Sequence, residues 1–233
     1  MRNTPAAVTA ALTCLLAGAA LSGCAGEGGA EERSGEEVLD EANATMRSLT
    51  SVTVDATTTS AKGGTVTSHV VTDLDKRCRA RTSWSEGGTL EQIRIGDTDY
   101  VRPDRAYLQK WNGDTSVKSE QKLWMKTPVE AGQEDEQDLT SCERPFDSFG
   151  TATKGKSTRV DGKDAVAVTV TDKAVKEGTY TFYVATQGKP YLLKTVYKGS
   201  DFHTTTSFGE FDEALDVRAP KTADVLDADD LVR

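Results

Sequence analysis

Cys24 ends the run Leu21-Ser22-Gly23-Cys24, directly behind an apolar N-terminal stretch. This is the pattern of a bacterial lipobox. Small residues before a cysteine suit a processing site whose chemistry is a thiolate attacking a diacylglyceryl donor. Cleavage would remove residues 1–23 and leave Cys24 as a lipidated N-terminus. The alternatives are an ordinary secretory signal with an incidental cysteine, or a short membrane anchor. Of the four cysteines, Cys14 would leave with the signal. Cys78 and Cys142 remain, and in an oxidising compartment their simplest state is one intramolecular disulfide. Two free thiols or an intermolecular bridge are the alternatives.

Other reactive patterns are weaker. Gly150-Thr151-Ala152-Thr153-Lys154-Gly155-Lys156-Ser157 matches the phosphate-loop spacing G-x-x-x-x-G-K-[ST]. That loop needs a buried strand before it and a helix after it. Here Pro145 to Phe149 precede it and a strand-like pattern follows, so it reads as a polar loop. Arg77, Arg79 and Arg81 would share one strand face, which more often meets solvent than an anion. Asp97 with Asp99, and Asp227 with Asp229 and Asp230, lack the continuation of a calcium loop. Asn43-Ala44-Thr45 is a glycosylation sequon inside an expected helix. With two histidines, His69 and His203, and no C-x-x-C, a zinc site has few ligands. No G-x-S-x-G or H-E-x-x-H motif is present, and no carboxylate stands out as a general acid or base. The expectation is a protein that is not an enzyme and carries no cofactor.

The N-terminal segment supports export. Arg2 and the initiator amine precede an apolar run from Ala6 to Ala20. A spanning helix needs about 20 predominantly apolar residues, so this run is too short. Two acyl chains on Cys24 would anchor stably, whereas a single myristoyl chain binds only marginally. Ala25 to Arg33 is rich in Gly, Ala and Glu, with no large apolar residue, and reads as a flexible tether. The organisation expected is a signal at 1–23, a lipidated N-terminus with tether at 24–33, and one domain at 34–233. The formal charge is −9, which argues against nucleic-acid binding and against broad adhesion to anionic headgroups.

The elements follow from periodicity. Ser34 and Glu37 have capping-box spacing, and Val38, Leu39, Ala42, Met46 and Leu49 fall at helical intervals, predicting a helix over 35–49. After Thr50 the period becomes two. Strand signals cover 52–57, 65–74, 77–84, 89–95, 99–102 and 106–108, separated by Gly-, Asp- and Pro-containing turns. Residues 122–149 break the rhythm and read as a helical or irregular insertion, with an acidic stretch at Glu130 to Asp138 that could form a solvated face or a lid. Strand signals resume at 165–171, 180–184, 191–197 and 203–211. No βαβ unit appears, so a parallel sheet is disfavoured. The fold class expected is mostly-β α+β: one long antiparallel, up-and-down sheet packed around an N-terminal helix and a central insertion.

That order resembles the LolA/LppX-type lipoprotein-carrier superfamily. Tyr180 to Tyr197 (YTFYVATQGKPYLLKTVY) is similar to its strand-turn-strand, and Phe208 to Pro220 (FGEFDEALDVRAP) to its closing strand. The likeness spans Gly35 to Pro220 and brings no catalytic residues. The Cys78/Cys142 pair and the acidic stretch do not map onto the family pattern. The resemblance implies a curved half-barrel sheet wrapped around helices, with an apolar cleft for acyl chains. Trp84, Trp111, Trp124, Tyr180, Phe182 and Leu193 are the candidate lining, although each also suits core packing. The function expected is therefore a membrane-anchored extracytoplasmic lipoprotein that binds or carries a lipid or other hydrophobic ligand. The alternative is a non-enzymatic envelope interaction module without a ligand cavity. The expected partners are the membrane, through the anchor, and a lipid ligand, with the oligomeric state left open.

Overall fold

The computed structural model describes residues 33–111, 121–129, 142–172 and 178–227. The expected signal, Cys24 and the acidic stretch at Glu130 to Asp138 lie outside the described residues. Helix α1 spans Gly35–Arg47 and starts where the capping box predicts. Ser34 Oγ accepts from the Glu37 N–H at 3.1 Å, and the Glu37 carboxylate accepts from the Ser34 N–H at 2.7 Å. Two of the N–H groups a helix start leaves unpaired are thereby satisfied. Val38, Leu39, Ala42 and Met46 are buried, as their spacing requires.

Strands β1 (Val52–Ser60), β2 (Thr65–Thr72), β3 (Arg77–Trp84), β4 (Thr89–Ile95) and β5 (Thr98–Pro103) form a meander. Helix α2 (Arg105–Trp111) and β6 (Trp124–Pro128) follow. A second meander holds β7 (Thr151–Val160), β8 (Lys163–Thr171), β9 (Thr179–Ala185), β10 (Leu192–Lys198) and β11 (Phe202–Gly209). A 3-10 turn at Thr222–Asp224 leads to β12 (Val225–Asp227). Among the described residues these make one 12-stranded open sheet, ordered β12-β6-β5-β4-β3-β2-β1-β11-β10-β9-β8-β7. The seam is β1 against β11, with Val54 opposite Phe208. Every ladder is antiparallel except β6–β12. The sheet is a curved half-barrel, mostly β, as the sequence predicts.

Alternation sorts the side chains onto two faces. In β3, Cys78, Ala80 and Thr82 are buried while Arg77, Arg79 and Arg81 are exposed. The inner face meets α1 in the main core, which includes Val54, Val70, Val168 and Val170. The outer face carries two smaller clusters. Ile93 and Trp124 pack with Val217, and Leu193 packs with Val160 and Ala165.

Four local readings change. Residues 106–108 are helical, not a strand, because Asp104 acts as a cap. Its carboxylate accepts from the Tyr107 N–H at 2.7 Å and its carbonyl from the Leu108 N–H at 3.1 Å. A short apolar run alone does not separate helix from strand. Residues 124–128 form β6 rather than an irregular insertion, because they gain a partner from the far end of the chain, β12. The phosphate-loop match is edge strand β7, not a loop. It is extended where a phosphate loop must turn into a helix, with a register shift between Lys154 and Ser157. Finally, the closing strand of 208–220 ends at Gly209. The chain then leaves the ladder, and Val217 packs against the outer face.

Candidate functional site

The inner face is organised in rows across the ladders. One row holds Trp84, Val66, Thr58, Thr204, Tyr197 and Tyr180 in register. The next holds Ser68, Ala56, Thr206, Thr195 and Phe182. Bulky rings therefore sit at the flanks, and small β-branched or hydroxyl side chains form the middle. Such a floor is shallow in the centre and walled at the sides.

Residues 142–149 run over part of this floor. Cys142 is disulfide-bonded to Cys78 of β3, and its carbonyl accepts from Thr72 Oγ1 at 2.6 Å. The other end of the segment is held by α1. Arg47 donates to the Phe146 carbonyl and lies 3.3 Å from the Asp147 carboxylate. Asn43 Nδ2 donates to Ser148 Oγ at 3.0 Å, and Ser148 in turn donates to Asp40. The sequon asparagine is thus a buried structural donor. Phe146 meets Phe208 edge-on with ring centres 5.9 Å apart. Phe149 meets Tyr180 at 5.0 Å and Phe182 at 6.0 Å, also edge-on.

Between this segment and the sheet lies an open cleft of about 250 Å³, with walls that include Val54, Phe149, Tyr180, Phe182, Leu192 and Phe208. It adjoins a second hollow of about 360 Å³ along Thr58, Tyr197, Phe202 and Thr204. Arg144, Tyr180, Thr195 and Thr206 line both, so the two read as one groove. Burial pushes the Tyr180 phenol above its usual range, with Tyr197 and Asp172 adding to the shift. It is therefore a neutral hydrogen-bonding group and not a base. The first hollow is mainly apolar and aromatic, with Asn43 and Asp147 at its side, the second mixes rings with threonine hydroxyls, and Arg144 is the one guanidinium along both.

Of the six candidate lining residues, Tyr180 and Phe182 line the groove. Trp84 shares the inner face but stands at its far flank, 5.2 Å from the Tyr107 ring and 6.0 Å from that of Trp111. Trp124 is on the outer face, with the Arg102 guanidinium 4.4 Å over its ring. Leu193 is also on the outer face, and its neighbour Leu192 lines the groove. The irregularity at Leu192/Lys194 reverses the alternation set by Thr195 and Tyr197, so that Leu192 and not Leu193 faces the groove. Phe149, Phe208 and Arg144 escape sequence reasoning. Phe208 had a signal, since it continues the alternation of Thr204 and Thr206; the other two lie on an irregular segment that has none.

Most charged groups of the remaining motifs are ion-paired, Arg77 with Asp73 among them. Arg81 lies 3.0 Å from Glu91, which also accepts from Arg102. Burial alone would raise the Glu91 carboxyl, but Arg102, Arg81 and Arg79 together hold it below its usual range. Asp99 is paired with Arg94 at 2.8 Å and Asp97 with Lys76 at 2.8 Å, so the two do not converge on one ion. Among the described residues no group of three or more His, Cys, Asp and Glu could hold a metal ion. Among them, no helix is long and apolar enough to cross a membrane.

No family model and no curated protein matches the chain. Solved structures do. The crystal structure of the Mycobacterium tuberculosis lipoprotein LppX superposes with a TM-score of 0.54 at 14% identity, over 79% of this chain and 100% of that one. LprF from Mycobacterium bovis gives 0.53 at 12% identity, over 80% of this chain and 96% of that one. At such identities the likeness is one of fold. The likeness covers the whole length of LppX, and the open sheet curved around an N-terminal helix seen among the described residues is an LppX-like fold.

Proposed function

We propose that this chain is an extracytoplasmic lipoprotein, anchored by lipid on Cys24, that binds or carries a lipid or other hydrophobic ligand. The ligand would lie in the groove between the sheet and the segment held by α1. The observation that carries this reading is the continuity of the two hollows along Tyr180, Thr195 and Thr206. Their volumes, about 250 and 360 Å³, approach or enter the range of roughly 300–1,000 Å³ typical of small-molecule sites. An elongated ligand such as an acyl chain fits two joined hollows better than one compact chamber. Arg144, lining both, would pair with an anionic headgroup, for which a planar guanidinium is well shaped. The described lining of rings, aliphatic side chains and hydroxyls supports binding of a hydrophobic ligand.

Native mass spectrometry of the exported chain, with Cys78 and Cys142 oxidised, tests this. A co-purifying mass that organic solvent extracts as lipid would support the reading and begin to identify the cargo. A bare protein mass, with no uptake of offered envelope lipids, would overturn it in favour of an envelope interaction module without a ligand.

A further inference from the structure

Among the described residues, the large hydrophobic side chains that stand exposed are Trp111 and Phe202, at 47% and 44%. They attach to the two flanks of one register row. Trp111 packs on Trp84, and Phe202 packs on Tyr197 with ring centres 5.1 Å apart. Trp84 and Tyr197 are joined across the sheet through Val66, Thr58 and Thr204. This row runs along the end of the sheet that carries the Ala61–Gly64 turn, the Ser85–Gly88 turn and the Gly199–Asp201 turn. The groove described above opens onto this end through Tyr197 and Phe202.

The chain that would tether the domain leaves from the same end. Helix α1 runs into β1 through residues 48–51, so its C-terminus lies at the Val52 end of the sheet. A helix of 13 residues spans about 20 Å, which carries Gly35 back along the strands. Gly35 rests on the backbone of Ala152 to Lys154 in β7. Ala152 is itself in the row, opposite Val170, which is opposite Tyr180. Arg33 and Ser34 thus emerge beside the flank of the row that Tyr180 and Tyr197 occupy. From Cys24 to Arg33 there are about nine residues, which reach at most about 30 Å. A lipid on Cys24 would keep Arg33, at this end of the domain, within about 30 Å of the bilayer.

We infer that the aromatic rim formed by Trp84, Tyr107, Trp111, Tyr197 and Phe202 docks on the membrane surface, so that the groove mouth faces the lipid. Trp and Tyr rings favour the bilayer interface, where one side of the ring is apolar and the other wet. Exposed Lys62, Lys110 and Lys198 stand at the same end, with Glu86 and Asp201 partly offsetting them. Long lysine stems can lie along the apolar layer with their ammonium groups in the headgroup region. This inference rests on the lipid at Cys24 and does not require cargo in the groove.

The test is tryptophan emission from the mature chain, beginning at Cys24, on phosphatidylcholine vesicles whose acyl chains are brominated. Intact mass reports lipid on Cys24, and flotation reports anchoring. Emission should be quenched relative to unbrominated vesicles, and Trp111→Phe should remove most of that quenching. Phe202→Ser should weaken it, while Trp124, buried on the outer face, serves as the unquenched internal reference. Unchanged emission from a lipidated, floating protein would overturn the inference. If the mass shows no lipid, the anchor reading fails, and the unlipidated chain is added to the same vesicles. Quenching there would uphold the rim as a membrane contact, and none would overturn it. Self-association that shields Trp111 without vesicles would also overturn it, assigning the rim to a second copy of the chain.

Discussion

Single residues decide what the groove can hold and how its supports respond to pH. Arg144 is the one guanidinium along a lining of rings, aliphatic and hydroxyl side chains that also includes Asn43 and, at one side, the Asp147 carboxylate. Arg144→Gln should weaken binding of an anionic amphiphile by about tenfold, roughly 1.4 kcal/mol, and leave a neutral analogue unchanged. Titration with the two probes side by side checks this. Asp212 fastens the start of β1 to the chain beyond β11. Its carboxylate accepts from the Thr50 N–H at 2.8 Å, and this bond, with Thr50 Oγ1 and Lys189, holds the group below its usual range. A depressed carboxyl contributes stability above its unfolded value, near 3.8, and loses it as pH falls through the folded value. Asp212→Asn keeps an acceptor and tolerates the positive φ of 60°, so it should flatten the acid limb of a stability–pH profile while folding normally. At this scale the sequence was informative where alternation held. Tyr180 and Phe182 could be placed together from spacing, whereas Trp124 and Leu193 could not be separated from them. Which face a ring occupies depends on a register and a bulge that only strand pairing sets.

Helix α1 was readable from its sequence because each signal is local: the cap, the acidic first turn and the apolar spacing lie within 16 residues. Helix α2 and β6 were not, because their deciding partners are an aspartate cap behind a proline and a strand about 100 residues away. The apparent phosphate loop has a different physical meaning as an edge strand. Lys154 and Lys156 with Gly155 at a register shift disfavour pairing of that edge with another chain. The same strand explains Gly35. A Cβ there would come within 2.6 Å of Lys154 N and 2.8 Å of the Ala152 carbonyl. In an exposed helix interior, replacing glycine by alanine gains about 1 kcal/mol. Here Gly35→Ala should instead destabilise, because backbone on both sides must move. Chemical denaturation of the two proteins gives the sign directly.

For the whole molecule, the Cys78–Cys142 bridge closes a loop with a sequence separation of 64. The chain-entropy model gives about 4 kcal/mol for such a loop. The double variant Cys78→Ser, Cys142→Ser should lose up to that amount, and it should loosen residues 142–149 over the groove before the rest of the sheet. Hydrogen exchange would locate the loss. The fold class could be read from the sequence because period-two segments and turns repeat along nearly the whole chain. The seam of the sheet could not, since it joins strands far apart in the sequence. That seam, β1 against β11, sets Thr58 beside Thr204 across 146 positions. The first strand made is therefore also among the last to find its second neighbour. The other ladders of the two meanders join neighbouring strands, so this seam is a non-local step that must wait for loop closure. A chain threaded through a pore with its N-terminus leading would thus complete neither the seam nor the groove until its last strands had passed, which keeps it open enough to travel.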